Sequence, residues 1–239
     1  MTPTVAFFRP DDERAAEAER ALGGLGVEPL SDPMLAIEPT GASARSDAEF
    51  TVLTSKTGAE LVSETAFSPA GELVAIGAST AEAIEAAGYD VDRVPAEFSS
   101  AGLLAELSDE AAGARVEIAR SDHGSDVLLE GLNDAGAYVH ETVLYRLVRP
   151  DDAGRSTVVA AEGGLDGACF TSSLTVEHFL EAAADRGVRS EAIAGLNDAV
   201  VGAIGPPTER AALERGIDVD VVPDTAGFEA LARAVVERL

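Results

Sequence analysis

Residues 75–95 read AIGASTAEAIEAAGYDVDRVP, and residues 203–223 read AIGPPTERAALERGIDVDVVP. The two stretches hold Gly, Thr, a second Gly, Val-Asp and Pro in register, with eighteen positions from Gly77 to Pro95 and again from Gly205 to Pro223. Self-similarity of this kind marks a duplicated supersecondary unit. Ahead of each copy stands another matched element, EFTVLTSKTGAELV at 49–62 and GACFTSSLTVEHFL at 167–180. Each is an apolar, β-prone run that ends in Thr-Ser and turns into a helical pattern. Behind each copy follow a small-residue turn and a short helical pattern, FSSAGLLAEL at 98–107 and DTAGFEALARAV at 224–235. A third, weaker pair is TVAFFRPDDERAAEAERALGGLGVEP at 4–29 and RVEIARSDHGSDVLLEGLNDAGAYV at 115–139, each running strand, Arg, turn, amphipathic helix, Gly, strand.

Strands that alternate with helical patterns of this length indicate βα units and a parallel sheet. The chain is therefore expected to be an α/β protein of two similar, flavodoxin-like parallel-sheet lobes. The order of the units permits either sequential lobes or one lobe inserted in the other. Two short extended segments that each end in Pro, MLAIEP at 34–39 and ETVLYRLVRP at 141–150, favour the second arrangement if they pair as a two-stranded connector. The expected boundaries are then 40–140 for one lobe and 1–33 with 151–239 for the other, with a cleft between them.

Composition narrows the function. The 239 residues are 46% hydrophobic, enough for a buried core in one large or two small domains. No apolar run approaches the roughly 20 residues of a membrane span, and residues 1–10 lack a signal-peptide pattern, so a cytoplasmic protein is expected. The 43 acidic and 17 basic residues give a net charge of −26, spread along the chain, and Lys56 is the single lysine. This balance resembles that of proteins from salt-accumulating organisms, in which acidic side chains form a solvated surface. Nucleic-acid binding is not expected, because no Lys or Arg cluster is present to displace phosphate counterions. The lone Cys169 lies in an apolar run and reads as a buried thiol.

His123, His140 and His178 have no metal-ligand spacing, so no metal is expected. In SDHGSD at 121–126 the Ser, Asp and His are neighbours in a turn, and Ser121 or Asp122 reads as a helix cap rather than as part of a hydrolase triad. GASTA and GPPTE fit neither GxGxxG nor a P-loop. Ligands of open α/β sheets gather beyond the carboxyl ends of strands, where helix N-termini present free N–H groups. Four turns lie there: Thr54–Thr57, Gly77–Thr80, Thr171–Ser173 and Gly205–Thr208. Each also suits plain helix capping, since Ser and Thr are preferred caps and Gly is the usual tight-turn residue.

Strand-Arg-Pro at 5–10, Thr-Ser at 54–55, AIG-x-x-T at 75–80, Arg-Ser at 120–121, Tyr145, Thr-Ser at 171–172 and IG-P-x-T at 204–208 occur in an order that resembles the uroporphyrinogen III synthase family along essentially the whole chain. The resemblance implies two α/β lobes joined by a β-ladder. It also implies dehydrating closure of the linear tetrapyrrole hydroxymethylbilane, with inversion of ring D, to uroporphyrinogen III. A functional tyrosine is implied at Tyr145, where it could assist departure of the substrate hydroxyl. Substrate contacts are implied or expected at Ser55, Lys56, Thr57, Gly77, Ser79 and Thr80, at Ser172, Ser173, Gly205 and Thr208, and at Arg9, Arg120 and Ser121. The implied reaction calls for no cofactor, and a monomer is expected. The rival reading is a non-catalytic two-lobed module that binds a small anion.

Overall fold

The computed structural model describes residues 2–65 and 67–239, so Met1 of the amino-terminal stretch discussed above lies outside it. In chain order the first elements are β1 (Thr4–Phe7), α1 (Glu13–Gly24), β2 (Glu28–Ser31), β3 (Ala36–Pro39), β4 (Phe50–Leu53), α2 (Lys56–Ser63), β5 (Glu72–Ala75), α3 (Ala78–Ala86) and α4 (Ser100–Ala111). Then come β6 (Arg115–Ser121), α5 (Asp126–Asp134), β7 (Tyr138–Val148), α6 (Arg155–Ala161), β8 (Gly167–Phe170) and α7 (Ser173–Asp185). The chain ends with α8 (Arg189–Asn197), β9 (Val200–Ala203), α9 (Pro206–Leu213) and α10 (Phe228–Val236).

Two compact units result, Met1–Ala36 with Val148–Leu239 (unit 1) and Ile37–Leu147 (unit 2). Unit 1 has a sheet in the order β2-β1-β8-β9, and unit 2 a sheet in the order β3-β7-β6-β4-β5. Matching β1 with β6, β8 with β4 and β9 with β5 makes the two orders the same, with β3 as an extra edge in unit 2. All pairings from β2 to β9 and from β7 to β5 are parallel.

The repeat seen in the sequence is built twice in hydrogen bonds. Asp92 accepts from Leu73 N at 2.8 Å and its own N–H bonds Leu73 O at 2.9 Å. Asp220 accepts from Val201 N at 2.8 Å and bonds Val201 O at 2.8 Å. Each Asp thereby stitches the returning chain to the neighbouring strand, forming the isolated bridges Val74–Arg93 and Gly202–Val221. The second Gly of each copy, Gly88 at φ +89° and Gly216 at φ +83°, ends its helix in the left-handed region that glycine enters without strain.

The strands are short and apolar on both faces, as expected for parallel sheets covered by helices. In unit 1, Phe8, Phe170 and Phe179 pack with ring centroids 4.5, 5.5 and 5.8 Å apart on one face of the sheet. On the other face, Phe7, Leu22, Cys169 and Leu231 are buried together, and burial pushes the Cys169 thiol up to about 12. In unit 2, Val52, Val74, Ile118 and Leu103 fill one face and Leu53, Ala75, Leu144 and Tyr145 the other.

The structure differs from the sequence reading at the connector. β7 is one strand through Val148 that pairs with β6 as far as Ser121–Tyr145, so a boundary between 140 and 141 falls inside it. β3 lies beside β7. The segments read as a separate connector are thus the outer ladder of the unit 2 sheet, because β6 supplies a hydrogen-bonding partner along most of β7. Among the described residues no helix is long and apolar enough to cross a membrane.

Candidate active site

In unit 2 the sequence candidates collect at the carboxyl ends of the strands. β4 runs into Ser55, the N-cap of α2, whose Oγ accepts from Gly58 N at 2.9 Å. That cap follows from sequence: a Ser in extended conformation placed before a helical pattern satisfies one of the N–H groups the first turn leaves open. From the far side of β6, Tyr145 reaches across and donates its hydroxyl to Ser55 Oγ at 3.0 Å. Tyr145 is 6% exposed, held by the apolar cluster that contains Leu53, Ala59 and Leu144. Gly58 lies directly under this contact: a Cβ there would stand 3.0 Å from Ser55 Oγ and 3.5 Å from Leu144 Cδ1.

Lys56 is the first residue of α2, and its ammonium is 3.6 Å from Glu60, one turn on. A cation at the positive end of a helix dipole is unfavourable for the helix itself. Lys56, Ser79, Ser63 and Glu82 line a groove of about 400 Å³ between α2 and α3, while Thr57 is half-buried beside it. Gly77 caps α3 without any side-chain bond, so Ala78 and Ser79 begin the helix with N–H groups that have no intrahelical acceptor. Thr80 is 2% exposed at the third helical position.

The β6 turn departs from expectation. Ser125, not Ser121 or Asp122, caps α5, accepting from Val127 N at 3.3 Å. Ser121 instead extends the strand opposite Tyr145. Asp122 accepts from Leu147 N at 3.0 Å and pairs with His123 at 2.8 Å; burial raises its pKa, but these bonds outweigh it and leave the carboxyl below its usual range. Arg120 is buried, with its guanidinium bonded to Glu141 at 2.6 Å, to the Ser125 carbonyl and to Asp126 at 3.2 Å. It braces the turn from inside, leaving little of the charge free for a ligand.

Unit 1 arranges its matching turns differently. Ser172 caps α7 through a capping box with Thr175, with bonds of 3.2 and 3.3 Å, and no tyrosine reaches it. Ser173 Oγ donates to Pro207 O at 3.1 Å, tying the α7 turn to the α9 turn. Gly205 caps α9 and is followed by Pro206 and Pro207, which have no N–H to offer. Thr208 is 3% exposed, like its counterpart Thr80. Arg9, at the end of β1, has no hydrogen-bond or ion-pair partner among the described residues and stacks on Phe228 with Cζ 5.2 Å from the ring centroid. Burial lowers its pKa, helped by Arg14 and opposed by Asp12 and Glu17. It borders a groove of about 630 Å³ lined also by Glu17, Arg20, Phe228 and Glu229.

Two features escaped sequence reading. Phe98 is 63% exposed and its ring lies on Gly77, 3.1 Å from where a Cβ would be. Asp32 is buried and accepts from Gly154 N at 2.9 Å and Ser156 N at 2.7 Å, anchoring the start of α6. An apolar residue inside a small-residue turn was the available sign for the first; the second depends on a contact 122 positions apart. The histidines serve local bonds, His140 to Glu117 at 2.7 Å and His178 to the Met34 carbonyl. Among the described residues no group of three His, Cys, Asp or Glu is placed to hold a metal ion.

The uroporphyrinogen-III synthase HemD family model matches residues 16–233. A relative from Methanothermobacter thermautotrophicus is 32% identical over 230 residues, covering 89% of this chain and 90% of its own. The uroporphyrinogen-III synthase of Chlorobaculum parvum is 28% identical over 169 residues, 69% of this chain and 65% of its own. Among solved structures, a mutant uroporphyrinogen III synthase from Thermus thermophilus aligns over 100% of both chains with TM-score 0.69 at 19% identity. The Helicobacter pylori uroporphyrinogen-III synthetase does so over 100% of both with TM-score 0.67 at 13% identity, a likeness of α/β fold. By the family match and the archaeal relative together, the chain belongs to the uroporphyrinogen-III synthase family.

Proposed function

We propose that the protein closes hydroxymethylbilane to uroporphyrinogen III, inverting ring D and releasing one water, as a step of tetrapyrrole biosynthesis towards haem, sirohaem and cobalamin. Membership of the family along nearly the whole chain is the observation that carries this reading. The chemistry suits what the turns offer. The substrate hydroxyl leaves with electron push from its pyrrole, and the linear molecule closes unaided to the uninverted isomer. The enzyme's task is then to assist departure of that hydroxyl and hold a geometry that favours the spiro route. No electron is gained or lost in this conversion, and hydrogen bonding and positioning by the protein's own side chains suffice for it.

In this reading the Tyr145–Ser55 pair is the catalytic element, because it is a buried phenol joined to a half-exposed serine at a strand end. In unit 2 the groups read as meeting substrate carboxylates are the open first-turn N–H groups of α2 and α3 with Lys56, Thr57, Ser79 and Ser121; in unit 1, taken by itself, the groups so read are Arg9, Ser172 and Ser173. Thr80, Thr208, Gly77 and Gly205 shape their turns. Lys56 at the positive end of α2 is consistent with a polyanionic ligand, which would repay the unfavourable placement. Each unit is read as a flavodoxin-like lobe, and the enzyme as a cytoplasmic monomer adapted to concentrated salt.

The deciding experiment mixes purified protein in molar KCl with fresh hydroxymethylbilane, oxidises the product and separates the type III and type I porphyrin isomers. Predominant type III supports the reading; type I alone, formed at the rate without protein, would sink it.

A further inference from the structure

We infer that Ser55, and not Tyr145, donates to the departing substrate oxygen, with Tyr145 acting through it as a positioning residue. This rests on the proposed reaction and assigns the hydrogen-bond donor within it. A serine hydroxyl has one proton and two acceptor sites. Ser55 Oγ already accepts twice, from Gly58 N at 2.9 Å and from the Tyr145 hydroxyl at 3.0 Å. Its own proton is what remains, and it can only point away from both donors.

Tyr145 is in the opposite position. Its single proton is spent on Ser55, and the residue is buried to 6% exposure among apolar side chains. A phenol is also the better donor and poorer acceptor of the two hydroxyls, because its oxygen lone pair is shared with the ring. This direction of the bond is therefore the favoured one. Ser55 itself is half-buried at the mouth of the turn between β4 and α2.

Two donors directed into Oγ polarise the Ser55 O–H and strengthen it as a donor, and the positive end of α2 acts in the same sense. Gly58 leaves room for Oγ, since a side chain there would crowd it. The sister turn shares the helix end but lacks the second donor: Ser172 Oγ receives Thr175 N at 3.2 Å and no phenol. In the dehydration the C–O bond breaks and the electron pair leaves with oxygen. Ser55 stabilises the charge growing there by a hydrogen bond. The departing oxygen leaves as water with a proton equivalent to the one the pyrrole nitrogen gives up to solvent, so Ser55 and Tyr145 end as they began.

The test compares Ser55→Ala, Ser55→Gly, Ser55→Thr, Tyr145→Phe and the Ser55→Ala/Tyr145→Phe double variant on hydroxymethylbilane. Gly is tolerated as a helix cap and has no side-chain donor, and Thr keeps both cap and hydroxyl. Expected are a fall in kcat of about 10²-fold for Ser55→Ala and Ser55→Gly with KM changed little, and a smaller fall for Tyr145→Phe. The double variant should be no slower than Ser55→Ala, and Ser55→Thr should recover much of the rate. If Ser55→Gly folds and keeps more than half the wild-type kcat while Tyr145→Phe loses activity, Tyr145 acts directly and the inference is wrong, with the synthase reading intact. Losses that multiply in the double variant also overturn it. Type I product alone from the wild type would remove the reaction itself and this assignment with it.

Discussion

Unit 1 and unit 2 carry the same strand order and the same Gly-Thr-Gly-Asp-Pro repeat, yet equivalent positions have been put to different uses. Arg120, near the end of β6, has its guanidinium enclosed by two carboxylates and a carbonyl, whereas Arg9, two residues beyond β1, has only the face of Phe228 against it. Ser55 is capped from above by a tyrosine, whereas Ser172 closes on its own helix through Thr175. The α3 turn begins with open N–H groups, whereas the α9 turn begins with two prolines. Duplication thus preserved the backbone while the polar side chains diverged. A backbone is held by bonds that many sequences satisfy, but a polar side chain's role changes whenever one neighbour does.

The largest effect that would break this comparison is on turnover. Ser55→Ala and Ser172→Ala should each cost about 1 kcal/mol of stability as lost helix caps. Ser55→Ala should lower kcat for isomer-III formation by about 10²-fold, whereas Ser172→Ala, at a binding position, should act on KM; equal losses of kcat from both would mean that the two turns serve alike. Next in size is the arginine pair. Arg120→Ala strands Glu141 and unpacks Gly124, and about 2 kcal/mol of stability should be lost in urea unfolding, below the range for fully buried pairs because Asp126 and Glu141 are partly exposed. Arg9→Ala should cost under about 1 kcal/mol, the scale of a cation–π contact, and should show instead as a raised KM. The reverse pattern would contradict the assignment of bracing to one arginine and binding to the other.

Gly58→Ala separates folding from chemistry at a single site. Alanine favours a helix interior by about 0.8 kcal/mol over glycine, yet its methyl would press on Ser55 Oγ. Thermal unfolding should change by less than that figure while kcat drops several-fold. Salt should sharpen the contrast between surface and site: at −26 the protein repels an octacarboxylate, and in molar KCl the Debye length falls to about 3 Å, so that only groups in contact matter. Activity should therefore rise with KCl, and a steady loss on adding salt would count against this account.

The smallest expected difference is in acid. Arg45, Arg115 and Arg93 hold the carboxyls of Asp47, Glu49 and Glu110 below their usual range, and Asp122 is lowered too; all lie in unit 2, while Asp12 is the lowered carboxyl of unit 1. A depressed folded-state pKa contributes stability above the unfolded value that is lost as pH falls through the folded one. Below about pH 4, then, unit 2 should weaken more than unit 1. The chain carries its own probes, since Tyr89, Tyr138 and Tyr145 all lie in unit 2 and Cys169 in unit 1. Tyrosine fluorescence should change at a higher pH than Cys169 becomes accessible to a thiol reagent active in acid. Coincident transitions would show the two units to be acid-sensitive alike.

Much of this architecture is legible in the sequence. The βα repeats, the turns at strand ends and the burial of Cys169 are local matters, set by apolar patterning and by Gly, Ser and Pro within a few residues. Less legible was the extent of β7, because the boundary drawn at 140 rested on a Pro-terminated segment while the partner that extends the strand, β6, is chosen by sheet order. The cap of α5 was misplaced by a few residues for a related reason: SDHGSD contains two serines and two aspartates, all good caps, and only the strand's length selects Ser125.

By itself, the sequence determined that the chain would form two βα-repeat assemblies with left-handed glycines at Gly88 and Gly216 and with Asp92 and Asp220 at matched strand edges. The glycines depend on backbone preference, and the two aspartates on a spacing of 19 positions to the strand each one bonds. Tertiary structure alone decided that Tyr145 would meet Ser55 across 90 positions, that Arg120 would be enclosed and Arg9 left open. The reason is that β7 and β4 flank β6, an order no local stretch encodes, and a hydroxyl or a guanidinium takes its role from whatever that order brings within hydrogen-bond reach.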